Sequence, residues 1–270
     1  MPMNQHAKKR FGQNFLRDRA VIARIIDTVD PRPGQHLLEI GPGRAAITRE
    51  LLTRAGALDA IELDRDLLPE LRRQCEPLGA FRLFNADALT FDYRTPREDE
   101  RKLRIVGNLP YNISTPLLFH LLEFRDFIED MHFMLQREVV QRMAATPGSK
   151  RWGRLSVMLQ TDLRIAPLFD IPARAFQPAP KVESSFVRLT PRAAPAAPIP
   201  DRARFDQLVA QAFRHKRKTL LNNLKGLLDA ERIRAAGIDP SIRAEQIDIA
   251  GFARLAAMEP LEPRSIGGNA

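Results

Sequence analysis

Five short apolar runs, alternating with longer segments whose apolar residues recur at helical spacing, constrain this chain more than any other feature. The runs are His36–Ile40, Ala57–Glu62, Ala80–Phe84, Leu103–Gly107 and Met131–Leu135. Each reads as a strand. AAITRELLTRA reads as a helix after the first of them. Asp64 is placed to cap the next helix, with Leu67, Leu68 and Leu71 on one face, and Ser114 to cap another carrying Leu117, Leu118, Leu121 and Leu122. Repeated strand–helix alternation predicts an α/β fold with a doubly wound, mostly parallel sheet.

The rhythm changes after residue 190. PRAAPAAPIP (Pro191–Pro200) has four prolines, four alanines and no hydrophobic period, which predicts an extended, semi-rigid linker. Beyond it the patterns are helical. Asp201 can cap a helix burying Phe205, Leu208, Val209, Ala212 and Phe213, and Leu220, Leu221, Leu224, Leu227 and Leu228 form a second stripe. The expected division is a main domain over 1–190, a linker over 191–200 and a small all-helical domain over 201–270, with the IGGNA end frayed.

Composition removes several classes of protein. The 270 residues are 44% hydrophobic and 28% charged, enough to bury a core. Cys75 is the single cysteine, so no intramolecular disulfide or multi-thiolate zinc site can form. Five scattered histidines lack ligand spacing, and no metal is expected. No apolar run approaches the ~20 residues that span a bilayer. The first residues lack the apolar core of a signal peptide, and Lys8-Lys9-Arg10 reads as a solvated tail. The net charge of +9 and a pI near 10.3 favour a polyanionic partner.

The candidate chemistry sits at successive strand ends. In Glu39-Ile-Gly-Pro-Gly43 the glycines permit a tight turn and close approach of a ligand, and the following helix offers free N–H groups. Glu62 lies 21 residues after Gly41, where a carboxylate can accept both hydroxyl protons of a ribose. The same residues fit a dinucleotide fingerprint through Gly41, Gly43 and Ala46. They specify a nucleoside-bearing cofactor and leave its identity open. Asp87, after the third strand, can accept from an adenine amino group or cap a helix.

Asn108-Leu109-Pro110-Tyr111 follows the fourth strand. An exocyclic amine such as adenine N6 is a poor nucleophile because its lone pair is delocalised into the ring. Two acceptors, the Asn108 side-chain oxygen and the Leu109 carbonyl, can hold its hydrogens and favour a more tetrahedral nitrogen. Pro110 has no competing N–H, and Tyr111 can stack on an extruded base or pack in the core. Between Gln207 and Leu228 stand Arg214, Lys216, Arg217, Lys218 and Lys225 with no acid. Lys216 interrupts the apolar stripe, so a turn near His215 is expected to present these charges to phosphates. A solvated helical face is the alternative, and the missing acids count against it.

With these residues in view, the chain resembles the ribosomal RNA adenine N6,N6-dimethyltransferase family, in its bacterial small-subunit branch linked to kasugamycin sensitivity. KKRFGQNFL (Lys8–Leu16), EIGPG (Glu39–Gly43), NLPYNISTP (Asn108–Pro116), FQPAPKVESSF (Phe176–Phe186) and FRHKRKTLLNNL (Phe213–Leu224) stand in family order and span nearly the whole chain. The resemblance implies a Rossmann-like methyltransferase sheet and S-adenosylmethionine as cofactor. Asn14 and Leu16 would close over it from the N-terminal segment, and Gly41, Glu62, Asp87 and Asn108 would line the rest of its pocket. Asn108, Leu109 and Tyr111 would act on the target base, with Phe176 facing Tyr111 across it.

The implied substrate is a pair of adjacent adenosines in a hairpin near the 3′ end of small-subunit rRNA, each methylated twice on an assembling subunit. A cytoplasmic monomer with no metal or membrane partner goes with that reading. Ala45 departs mildly from the pattern, since many methyltransferases have a third glycine there. The His215-Lys216 pair ahead of Arg217-Lys218 leaves the detail of RNA contact open. Three competing functions remain: a large-subunit rRNA adenine methylase conferring macrolide resistance, a non-catalytic ribosome-assembly factor, and a nicotinamide-dependent oxidoreductase. The last leaves the Asn108–Tyr111 segment and the basic cluster unexplained.

Overall fold

The computed structural model describes residues 14–259. The Lys8-Lys9-Arg10 cluster and the IGGNA end lie outside them. The strands are β1 (Phe15–Leu16), β2 (His36–Ile40), β3 (Ala57–Ile61), β4 (Ala80–Phe84), β5 (Leu103–Asn108), β6 (Ile128–Gln136), β7 (Leu163–Ile171), β8 (Phe176–Gln177) and β9 (Ser184–Pro191). Seven of them form one sheet in the order β4-β3-β2-β5-β6-β9-β7. Strands β2 to β6 pair in parallel, and β9 returns antiparallel to β6. The chain runs outward from β2 to β4 and then crosses back to β5 on the other side of β2. That reversal opens a crevice beyond the carboxyl ends of β2 and β5, where Ile40 pairs with Gly107.

The five apolar runs are the five parallel strands. Strands β2 and β5 have covered side chains along almost their whole length, as a sheet with both faces packed requires. Helix α1 (Arg19–Val29) is capped by Asp18, whose carboxylate accepts from the Ala20 and Val21 N–H groups, and it buries Ile25, Ile26 and Val29. Arg104 of β5 ties the end of α1 to the sheet. Its guanidinium grips Asp130 of β6 and donates to the Val29 carbonyl at 2.9 Å.

Three local expectations are corrected. Helix α2 (Thr48–Ala55) starts later than AAITRELLTRA suggested, because Gly43 and Ala45 are both left-handed, at φ +56° and +61°. Asp64 caps a single 3-10 turn, Arg65–Leu67, that leads into α3 (Leu68–Cys75). Ser114 is no cap: it is the first residue of α4 (Ser114–Leu122), and its hydroxyl donates back to the Tyr111 carbonyl at 3.1 Å.

The remaining helices are α5 (Arg137–Met143), α6 (Arg154–Asp162), α7 (Arg202–Ala212), α8 (Leu220–Asn223), α9 (Ala230–Ala235) and α10 (Ile249–Ala257). The division at 190 is also corrected. One compact unit takes the described residues to Val140 together with 164–191, and a second takes 141–163 with the described residues from Arg192 on. The inserted stretch belongs to the second unit through specific bonds. The Trp152 indole N–H donates to the Ile247 carbonyl at 2.8 Å, and Asp162 accepts from Arg202 at 2.7 Å. Asp201 caps α7 at Arg204 N–H, and Phe205, Leu208, Val209 and Ala212 are buried. The second leucine stripe is not one helix. Helix α8 ends at Asn223, and Gly226 takes φ +91°, while Leu220, Leu224 and Leu228 still face the core. Among the described residues no helix is long and apolar enough to cross a membrane.

Candidate active site

A cavity of about 330 Å³ opens at the reversal between β2 and β5. Its wall includes Asn14, Leu16, Gly41, Glu62, Asp87, Asn108, Leu109 and Tyr111. Residues from five separate stretches of chain therefore meet where the strand order predicts a ligand crevice.

Each wall residue is fixed by local chemistry. Glu62 is 7% exposed, and its carboxylate accepts from Gly43 N–H at 3.2 Å and Asp64 N–H at 2.8 Å. A carboxylate offers about four lone-pair sites, so acceptor capacity is left for two vicinal hydroxyls. Burial raises its pKa above the ordinary value, the backbone N–H groups of Asp64, Gly43 and Leu63 work against that rise, and the Asp64 charge adds to it. Asp87 accepts from Leu89 N–H at 2.9 Å through one oxygen while lining the cavity. Its capping and ligand-facing roles are thus compatible. Asn85 holds the neighbouring strand ends together, donating to the Glu62 carbonyl at 2.8 Å.

Gly43 is a position where a side chain has no room. A Cβ there would meet the Phe15 ring at 3.2 Å in a left-handed backbone. Phe15 lies on the turn, and Arg44 stacks over its ring with the guanidinium carbon 4.5 Å from the centroid. Ala45 adopts a conformation that costs an L-residue roughly 1–2 kcal/mol. Its methyl is 1% exposed and packs in the core, an offset of about 0.8 kcal/mol.

The β5 end has the most informative geometry. The Asn108 side-chain Nδ2 donates to the Asn14 carbonyl at 2.8 Å. Only the amide nitrogen can make that bond, so it fixes the flip of the side chain and leaves Oδ1 as its acceptor. The Tyr111 hydroxyl bonds to Ser184 Oγ at 2.8 Å, which orients a ring that is half-buried at the cavity wall. Leu109 buries its side chain, and its N–H donates to the Met134 carbonyl at 3.3 Å.

Phe176 is 4% exposed and pairs with Leu16 in the antiparallel β1–β8 ladder, in the same apolar cluster as that wall residue. The pairing holds β1 in place, and β1 carries the wall residues Phe15 and Leu16. Sequence reasoning missed Ser184, Phe15, Arg44 and Met134, all at or beside the cavity. Ser184, Phe15 and Arg44 stand in or directly beside the motifs quoted above, and none of those motifs revealed a partner.

In the second unit, the turn between α7 and α8 exposes Arg214, Lys216, Arg217 and Lys218, and Lys225 is exposed beyond it. None of the five has an ion-pair partner among the described residues. Asn223 donates to the His215 carbonyl at 3.1 Å and so fixes the turn. Lys216 Nζ donates to the Lys150 carbonyl at 3.4 Å, which sets a second exposed basic pair, Lys150-Arg151, against it. Among the described residues no cluster of His, Cys, Asp or Glu could hold a metal ion.

Known proteins carry the same pattern across the chain. The family profile described as Ribosomal RNA adenine dimethylase matches residues 4–258. Ribosomal RNA small subunit methyltransferase A of Pseudomonas aeruginosa is 55% identical, over 93% of this chain and 94% of its own length. Its counterpart from Xanthomonas campestris is 52% identical, over 94% and 96%. The crystal structure of the 23S rRNA methyltransferase ErmE is 30% identical and superposes with a TM-score of 0.71 over 90% of this chain and 98% of that one. A dimethyladenosine transferase from Plasmodium falciparum, 22% identical, has the same fold with a TM-score of 0.73 over 89% and 95%. The crevice, the strand order and the motifs thus converge, and the chain belongs to the ribosomal RNA adenine dimethylase family.

Proposed function

We propose that this chain transfers methyl groups from S-adenosylmethionine to the N6 amino groups of two adjacent adenosines near the 3′ end of small-subunit rRNA, two to each. Family membership and near full-length likeness to small-subunit methyltransferases support that target. The observation that carries the chemistry is the locked Asn108 amide, whose free acceptor shares a cavity with Gly41, Glu62 and Asp87.

The strand order suggests how the cofactor lies. Asp87 follows β4, Glu62 follows β3, Gly41 follows β2, and Asn108 ends β5, in the spatial sequence β4-β3-β2-β5. Asp87 would hold the adenine and Glu62 the ribose, with Gly41 after β2 beside the rest of the cofactor and Asn108 at the β5 end, where the methyl acceptor would enter. The bound cofactor supplies an electrophilic methyl on a sulfonium. Asn108 Oδ1 and the Leu109 carbonyl accept the two N6 hydrogens, so the nitrogen lone pair is directed along the line of displacement. Tyr111 stacks on the extruded adenine and restricts its rotation. The amine proton leaves to solvent after transfer, so no general base is needed. Arrangement of reactants, rather than covalent participation, supplies the rate.

We assign RNA contact to the basic turn of the second unit and the cofactor to the first. The enzyme is taken to act as a monomer in the cytoplasm, on an assembling subunit. Neutralising Arg217 and Lys218 together is expected to weaken RNA binding and reduce the slope of log affinity against log salt by about one per lost phosphate contact. An unchanged slope removes those residues from the RNA surface.

The test of function is labelled methyl transfer to undermethylated small subunits, followed by nucleoside analysis. Label in N6,N6-dimethyladenosine supports the proposal. Transfer to large-subunit RNA alone favours the macrolide-resistance reading, and no transfer favours an assembly factor.

A further inference from the structure

Placing two methyl groups on one amine makes a demand that the first transfer does not. In the first, N6 carries two hydrogens, and both acceptors of the site are engaged. In the second, one hydrogen has been replaced by a methyl group. An accepted hydrogen brings its nitrogen to about 2.9 Å from the oxygen, whereas a methyl carbon needs roughly 3.5–4.0 Å from the atoms around it. The methyl therefore has to be received by a part of the wall that can move.

Neither acceptor can yield. The Asn108 amide is tied through Nδ2 to the Asn14 carbonyl at 2.8 Å. The Leu109 backbone is tied through its N–H to the Met134 carbonyl at 3.3 Å, and Pro110 restricts the peptide that follows. Met134 is also the partner of Asn108 in the parallel β5–β6 ladder. Partners in such a ladder project to one face of the sheet, about 5 Å apart. The Met134 side chain is 1% exposed and lines the cavity. Its other neighbour on this face, Phe186 of β9, packs against both His132 and Phe169, with ring centroids at 5.9 and 5.3 Å.

Residue type matters at this position. Among the described residues lining the cavity, Met134 is the one long apolar side chain without a branch, the others being Leu, Ile or aromatic. Its rotatable bonds and polarizable sulfur let it change shape at nearly constant volume. A β-branched side chain cannot follow, because its first torsion is restricted. We propose that Met134 gives way to the first methyl group during the second transfer, and so decides that the product is the dimethylated base. In that step the N6 lone pair takes the incoming methyl, the carbon–sulfur bonding pair stays on sulfur, and the last N6 proton leaves to solvent. Met134 takes no part in the bond changes. It sets the room in which they happen a second time.

The assignment rests on the proposed N6 dimethylation, and product analysis separates the two. Undermethylated small subunits should be incubated with excess enzyme and S-adenosylmethionine, and N6-methyladenosine and N6,N6-dimethyladenosine followed in time. The ratio of the second rate to the first is the readout, because a general packing defect slows both alike. Met134→Ile is expected to lower that ratio by roughly ten- to a hundredfold, the cost of overpacking one methyl group, so that N6-methyladenosine accumulates. Met134→Leu, a swap that cores tolerate well, should lower it by about threefold, since its branch lies one carbon further out. Met134→Ala, which opens the wall, should leave the ratio at or above that of the wild type. A wild-type ratio in either branched variant, or an equal fall in the alanine variant, overturns the assignment alone. Wild-type enzyme that forms no N6,N6-dimethyladenosine on small subunits overturns the proposed function and this assignment with it.

Discussion

Asn108→Ala is expected to lower kcat for methyl transfer by about a thousandfold, or near 4 kcal/mol of transition-state stabilisation, the upper range for losing one preorganised polar contact to a reacting group. The size follows from what the side chain does on both of its sides. Its Oδ1 is the side-chain acceptor at the β5 end of the cavity, and its Nδ2 bond to the Asn14 carbonyl keeps that acceptor pointing inward. Alanine removes both. Asn108→Asp is a sharper probe because it keeps the shape. A carboxylate cannot donate to the Asn14 carbonyl, so it faces another acceptor at 2.8 Å and must turn or take up a proton. Both variants should unfold within a few degrees of wild type, because Asn108 is only partly covered. Single-turnover transfer to undermethylated subunits reads the chemical step directly. If Asn108→Ala keeps most of the wild-type rate, amine positioning by this residue is wrong, whatever the cofactor affinity shows.

Much of this site was legible because its parts are local. A strand, a glycine turn and an acid at the end of the next strand are encoded within 27 residues, His36 to Glu62, and parallel pairing carries each to the same sheet edge. Asn108 was legible for the same reason. Features set by long-range pairing were not. The burial of Phe176 goes with its ladder partner Leu16, 160 positions away, and no motif states that pairing. Nothing in the Phe176–Phe186 motif marks Ser184 as the partner of the Tyr111 hydroxyl, 73 positions away. The stretch 141–163 reads as a continuation of the first unit, but Trp152 and Asp162 find their partners near residues 247 and 202. Gly226 could be seen in the sequence as a helix breaker, yet the leucine period around it was the stronger signal and concealed the end of α8 at Asn223.

The largest stability effect is expected far from the cavity, at Asp130. Arg104 is buried at the centre of the sheet, and its Nε and Nη2 donate to the two Asp130 oxygens at 3.0 and 2.9 Å. The remaining donors reach the Gln35 side-chain oxygen and the Val29 carbonyl, each at 2.9 Å. His132 lies beside this pair, but burial drives its pKa down to about 4, so it is neutral at pH 7 and competes little for Asp130. Asp130→Ala therefore leaves a guanidinium without its counter-charge in a dry site, a loss of about 3–5 kcal/mol. At roughly 2–4 °C per kcal/mol for a chain of this size, Tm should fall by about 10 °C. Arg104→Met is no rescue in the Asp130→Ala background, because it strands the Val29 carbonyl at the end of α1. The exposed Arg94–Asp92 pair supplies the control: it has similar bidentate geometry in open solvent, and Asp92→Ala should leave Tm almost unmoved. A thermal melt of the two alanine variants decides the matter, since equal shifts would mean that solvent reaches Arg104 and that the pair is not what fastens α1 to the strand bearing Asn108.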